Sequence, residues 1–89
     1  MIKVGIVDDH AIVRTGLRQF LGEHVDLRVT GEANNGREAL ELARSGEVDV
    51  LLMDLSMPEH GGIDALQAIK ARFPDLAVLI LSGFPEAQY

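Results

Sequence analysis

Val50-Leu51-Leu52-Met53-Asp54, continuing into Leu55-Ser56-Met57-Pro58, is an apolar run that ends in a carboxylate. Such a run suits a strand buried on both faces of a sheet. The acid at its end does not belong to the core. It marks the point where a buried strand emerges into a loop that does chemistry. Val4-Gly5-Ile6-Val7 ends the same way, in Asp8-Asp9. Two strands of one chain therefore each deliver acid at their C-terminal ends. In an open parallel sheet those ends lie side by side, and ligands bind in the crevice just outside them. Three carboxylates converging there repel one another unless a cation sits among them.

Outward from these two runs, short apolar stretches alternate with longer amphipathic ones. Residues around 2–7 predict the first strand. From about 11 to 22, Val13, Leu17, Phe20 and Leu21 recur at helical spacing, with Arg14, Arg18 and Gln19 between them and Gly22 as the end. Residues 27–33 alternate. Leu27, Val29, Gly31 and Ala33 are expected on one face and Arg28, Thr30 and Glu32 on the other, as in a strand at a sheet edge. Asn34-Asn35-Gly36 breaks that strand and caps a second helix, with Glu38 in its first turn. Ala39, Leu40 and Ala43 form its inner stripe, and Ser45-Gly46 ends it.

The strand carrying Asp54 follows, from about 48. A loop, Ser56 to Gly61, leads to a third helix with Ile63, Leu66, Ile69 and Phe73 on one side, stopped by Pro74. Leu76 to Leu81 predicts a fourth strand, apolar throughout, ending at Ser82-Gly83. The order β-α-β-α-β-α-β predicts an α/β domain. Its sheet is parallel, with helices on both faces and right-handed crossovers.

Bulk properties narrow the function. The 89 residues suffice for one small domain, and 47% apolar content argues against disorder. The chain has no Cys, which excludes disulfides and thiolate metal sites. Met1-Ile2-Lys3-Val4 does not read as a signal peptide, and no apolar stretch approaches the ~20 residues of a membrane span. A cytoplasmic protein is expected. Net charge is −6, and Lys3, Arg14, Arg18, Arg28, Arg37, Arg44, Lys70 and Arg72 are scattered. Without a basic cluster, direct nucleic-acid binding by this stretch is disfavoured.

Carboxylate oxygens with water suit Mg2+ or Mn2+. A carboxylate is also a nucleophile toward phosphorus, giving an acyl phosphate. Ser82 places a hydroxyl at the end of another strand, and Gly83 beside it leaves room for a phosphoryl group. Several residues have plainer readings. Asp8 also suits a cap for the first helix. His10 either ligates or opens that helix, and His60 reads as a solvated loop residue. Met53 and Met57 read as packing residues. The Arg14–Arg18 and Arg37–Glu41 spacings read as helix surface with little energetic consequence.

Val7-Asp8-Asp9-His10, then Arg14 and Gly16-Leu17, resembles the start of receiver domains in bacterial two-component response regulators of the NarL/FixJ subfamily. Leu52-Met53-Asp54-Leu55-Ser56-Met57-Pro58 resembles that family's phosphorylation-site segment. Gly62 matches the glycine opening its third helix. Leu79-Ile80-Leu81-Ser82 matches the strand that ends in its switch hydroxyl. The resemblance covers essentially the whole chain. It implies a flavodoxin-like (CheY-like) doubly wound parallel sheet of strand order 2-1-3-4.

The same resemblance implies roles. Asp54 would take phosphate from a histidine kinase or a small phosphodonor. Asp9 would bind Mg2+ directly and Asp8 through water. The main-chain carbonyl of Ser56 would complete the protein ligands. Ser82 would hydrogen-bond the phosphoryl group and move toward it on activation, while Ser56 and Phe84 would tune dephosphorylation. The result is a switch in a transcription regulator that touches DNA only through a separate output domain.

Two departures stand out. Gly61 replaces the Asn or Asp common before the helix glycine. The family pattern also continues with a fourth helix, a fifth strand bearing a Lys-Pro pair, and a fifth helix. Residues 1–89 are accordingly expected to be a receiver domain truncated after its fourth strand, of low stability, and to self-associate through that strand's edge. The competing reading is a non-phosphorylated interaction or dimerisation module. A haloacid-dehalogenase-like phosphatase would want a second Asp two residues after the nucleophile, where this chain has Ser56.

Overall fold

The structure is a computed structural model that describes residues 1–54 and 62–82. Its elements, in chain order, are β1 (Ile2–Val7), α1 (Ala11–Leu21), β2 (Leu27–Ala33), α2 (Gly36–Ser45), β3 (Val50–Asp54), α3 (Gly62–Arg72) and β4 (Ala77–Ser82). The four strands form one sheet in the order β2-β1-β3-β4, with every pairing parallel. The expected α/β sheet of order 2-1-3-4 is therefore present. The chain moves outward from β1 to β2, then crosses back to β3 on the other side of β1. That reversal opens a crevice at the C-terminal ends of β1 and β3.

The two faces of the sheet hold separate apolar clusters. On one face Leu17 and Leu21 of α1 cover Val4, Ile6 and Leu52. On the other, Ala39 and Ala43 of α2 and Ala65 and Ile69 of α3 pack with Val7, Ala33, Leu51 and Met53. The helices thus sandwich β1 and β3, whose residues Val4 to Val7 and Leu51 to Asp54 are all buried. The stripes expected for the helices hold in part. Leu17 and Leu21 face the core, whereas Val13 and Phe20 are 40% and 58% exposed. Phe20 instead meets His24 edge to face, with ring centroids 5.3 Å apart. In α3, Ile63 lies off the stripe and Ala65 takes its place.

Helix α2 is built as its sequence suggests. The Asn35 side chain accepts from the Glu38 backbone N–H at 2.9 Å, and Glu38 reaches back to the Asn34 N–H at 2.8 Å. Gly46 closes the helix in the left-handed conformation, with φ 74°.

The edge strand departs from simple alternation. Val4 pairs with Val29, but Gly5 pairs with Gly31, so Thr30 is an extra residue in the ladder. Such a bulge moves every later side chain to the opposite face. Leu27 and Val29 pack on the α1 side, whereas Ala33 packs on the α2 side. The four residues expected on one face are therefore split two and two. Glu32, in register with Ile6, turns toward α1. The switch also brings Gly31 beside Gly5 under Leu42 of α2. A Cβ on Gly31 would overlap Cδ1 of Leu42, and one on Gly5 would lie 2.9 Å from its Cδ2. Two adjacent glycines thus make the slot that seats α2 on the sheet.

Among the described residues no helix is long and apolar enough to cross a membrane.

Candidate functional site

Central strands β1 and β3 run side by side, with Val7 in register with Met53. The next residue of each, Asp8 and Asp54, therefore arrives at the same level of the crevice. Asp8 is 3% exposed and Asp54 5% exposed. Burying carboxylates is unfavourable unless something offsets their charge. One ligand atom each from Asp8, Asp9, His10 and Asp54 can be chosen so that all lie within 4.8 Å of one another. The three carboxylates expected to converge do converge.

Local hydrogen bonding fixes the first of them. Asp8 donates its N–H to Ala33 O at 3.0 Å, tying it to β2. Its Oδ1 accepts from the His10 N–H at 2.8 Å, an Asx turn that re-aims the chain into α1. The residue capping α1 is His10, whose carbonyl accepts from Val13 and Arg14. Asp8 therefore stands two residues before the cap position that its side chain also suited. The His10 ring folds back over the acids. Its Nδ1 lies 3.1 Å from Asp8 Oδ1 and 2.9 Å from Asp9 Oδ1. The hydrogen bond to Asp8, and then the charge of Asp9, raise the His10 pKa above its ordinary value.

Asp9 Oδ1 is buried and receives no hydrogen bond among the described residues. Its closeness to His10 is an ion-pair distance without hydrogen-bond alignment. A buried carboxylate oxygen without a donor, set among two further carboxylates, fits a hard divalent cation such as Mg2+.

Arg14 is the residue whose part the sequence concealed. It donates from Nη1 to the main-chain carbonyl of Asp8 and, at 3.0 Å, to Asn34 Oδ1. From Nε it donates to Glu32 Oε1 at 3.0 Å. Arg18 pairs with the other oxygen of Glu32. The pair expected to be plain helix surface is thus a brace. It runs from the start of α2, through Asn34, to the carbonyl of a site carboxylate. A signal was available: like charges four apart on a helix are unfavourable unless an acid lies between them. The bulge at Thr30 supplies that acid in Glu32.

Ser82 is the last residue of β4 and pairs in register with Asp54, one residue out of step with the preceding pair Met53–Ile80. Lys70, at the end of α3, donates to Leu76 O at 3.2 Å. Ser56, Met57, His60, Gly61, Gly83 and Phe84 lie outside the described residues.

Comparison with known proteins agrees with this geometry. The response regulator receiver domain family matches residues 4–89. The chain is 41% identical over 88 residues to the uncharacterized transcriptional regulatory protein YhcZ of Bacillus subtilis, covering 99% of this chain and 41% of that protein. It is 42% identical over 86 residues to the response regulator UvrY of Escherichia coli, covering 97% and 39%. The chain thus spans about two fifths of the length of these relatives.

Among solved structures, a LuxR-family two-component response regulator from Aurantimonas superposes with a TM-score of 0.85 at 33% identity, over 99% of this chain and 65% of that one. RcsB of Salmonella enterica, bound to the rprA promoter in the presence of the phosphomimetic BeF3-, gives 0.82 at 32% identity over 90% and 42%.

Proposed function

The chain belongs to the response regulator receiver domain family, and from that premise we propose that it is a phosphorylation-controlled switch with Asp54 as phosphoacceptor. One observation carries this reading: Asp8, Asp9 and Asp54 bring ligand atoms within 4.8 Å of one another at the crevice between β1 and β3. An Asp54 oxygen attacks phosphorus of a histidine kinase's phosphohistidine, or of a small acyl phosphate. A P–O bond forms to Asp54, the bond to the donor breaks, and the leaving group keeps its electron pair. Asp8, Asp9 and Asp54, with the main-chain carbonyl of Ser56, hold Mg2+. That ion, when bound, offsets charge on the acids and on the transferring group. Arg14 keeps the Asp8 carbonyl and its carboxylate in place. The hydroxyl of Ser82, at the end of the neighbouring strand, hydrogen-bonds the new phosphoryl group and reports it to β4.

The chain modifies itself rather than turning over a metabolite. It acts in the cytoplasm, within a longer transcription regulator whose output domain makes the DNA contacts. RcsB, which binds promoter DNA, supports that placement. Incubation with acetyl phosphate and Mg2+, followed by intact mass measurement, tests the assignment. A gain of one phosphoryl group is expected in the wild type, with none in Asp54→Ala. A gain that survives Asp54→Ala would sink it.

Residues 1–89 also pair with a second copy through β4. Supporting this, β4 is an outer strand among the described residues, and Leu79, Ile80 and Leu81 are 58%, 41% and 41% exposed. Sedimentation should show association that grows with concentration and weakens in Leu79→Lys. A clean monomer at high concentration would remove this part of the reading.

A further inference from the structure

The His10 side chain belongs to the acidic cluster in space, yet none of the roles given above uses it. Asp8 and Asp54 form a buried floor, and the His10 ring, 62% exposed, closes the rim. Its main chain is held on both sides. The N–H donates to Asp8 Oδ1 at 2.8 Å, and the carbonyl accepts from Val13 and Arg14. The ring therefore enters the cluster from a backbone that needs no further ordering.

Distances then point to a second use of the same atom. Ligands at ~2.1 Å from an octahedral ion stand roughly 3.0 Å from their neighbours in the coordination sphere. His10 Nδ1 lies 2.9 Å from Asp9 Oδ1 and 3.1 Å from Asp8 Oδ1. These are hydrogen-bonding or ion-pair distances without a metal and adjacent-ligand distances with one. Exchanging the shared proton for a cation leaves the three atoms where they stand. Asp9 Oδ1, buried and without a hydrogen bond among the described residues, faces the same point.

We infer that His10 Nδ1 is a fourth side-chain ligand, added to Asp8, Asp9 and Asp54, which biases the site toward nitrogen-accepting first-row ions over Mg2+. Imidazole suits ions such as Co2+, Ni2+ and Zn2+, whereas Mg2+ prefers oxygen and retains water. The inference rests on the metal-binding part of the proposed function. It adds one ligand and a preference to that site.

The experiment reads the metal alone, without phosphorylation. Mn2+ is added to the whole chain, and pulsed electron paramagnetic resonance looks for coupling to a directly bound ¹⁴N. Calorimetry compares Co2+ and Mg2+ on the wild type, His10→Ala and His10→Asn. We expect ¹⁴N coupling in the wild type and none in either variant. Loss of the ligand should weaken Co2+ by about tenfold or more, and Mg2+ by less than about threefold because its shell is oxygen and water. Mn2+ bound without ¹⁴N coupling in the wild type overturns the inference and leaves the carboxylate site standing. Coupling that persists in His10→Ala also overturns it. Failure of every ion to bind overturns both this inference and the metal reading beneath it. The wild-type spectrum decides the matter even if a variant folds poorly.

Discussion

Asp54 and Ser82 are register partners across β3 and β4, although the ladder leading to them would have paired Asp54 with Leu81. One extra residue in β4 shifts the match, so a hydroxyl-bearing residue rather than a leucine stands opposite the proposed acceptor. Bulges near functional sites re-aim residues in this way. In Ser82→Ala the loss of one hydrogen bond to a charged group should weaken beryllofluoride binding. At about 1.5–3 kcal/mol, the loss is roughly 10- to 100-fold. Ser82→Thr should retain most of the affinity. Fluorine NMR of the bound analogue measures both, and an unchanged affinity in Ser82→Ala would remove the proposed contact.

Arg14 joins Glu32, Asn34 and the Asp8 carbonyl with one guanidinium, and its side chain is only 17% exposed. Arg14→Ala should lower stability by about 1–2 kcal/mol in urea unfolding. Arg14→Lys should recover only part, because an ammonium lacks the planar fork that spans three acceptors. Metal affinity should fall in both variants as Asp8 loosens. Equal stability of Arg14→Lys and wild type would show that charge alone matters there.

His10 gives the metal-free protein a pH-dependent term of known sign. Its pKa is raised from 6.5, first by the Asp8 hydrogen bond and then by the Asp9 charge. A raised pKa means that the folded state holds the proton more tightly than the unfolded chain. The contribution is therefore complete below the unfolded pKa of about 6.5 and fades as pH rises through the folded value. The stability difference between wild type and His10→Ala should shrink steadily from about pH 5.5 to about pH 8.5. A difference that grows with pH would contradict the assignment. Histidine NMR titration gives the shift directly.

The glycine slot can be tested by a double-mutant cycle. Gly31→Ala places a methyl group against Leu42, with Gly5 closing the other side. The cost should be about 1–3 kcal/mol, and smaller when Leu42 is first cut back to Ala. Additive effects would mean that the two side chains do not meet.

Much of this architecture was legible because its signals are local. The apolar runs ending in Asp8-Asp9 and Asp54 fix both the central strands and the place where acids meet. Asn35, Glu38 and Gly46 announce the ends of α2 through their own backbone bonds. What escaped depends on pairing between distant segments. Nothing in Leu27–Ala33 alone reveals that Thr30 is surplus, because a bulge is a mismatch between two strands. Once it is missed, Glu32 lies on the wrong face and Arg14 looks like an idle surface charge. Likewise, Val13 and Phe20 carry helical spacing that fits an inner stripe, while the structure leaves both substantially exposed.

The two outer strands of the sheet are unlike, and that asymmetry bears on assembly. β2 carries Arg28, Thr30 and Glu32 and is broken by its bulge, devices that discourage a strand from being extended. β4 runs Ala77 to Ile80 without a break and with Leu79 and Ile80 exposed. A sheet with one receptive side can accept one partner only. Copies that meet through β4 would close as a two-fold pair with no free end to propagate, so dimers rather than filaments are the natural limit of growth.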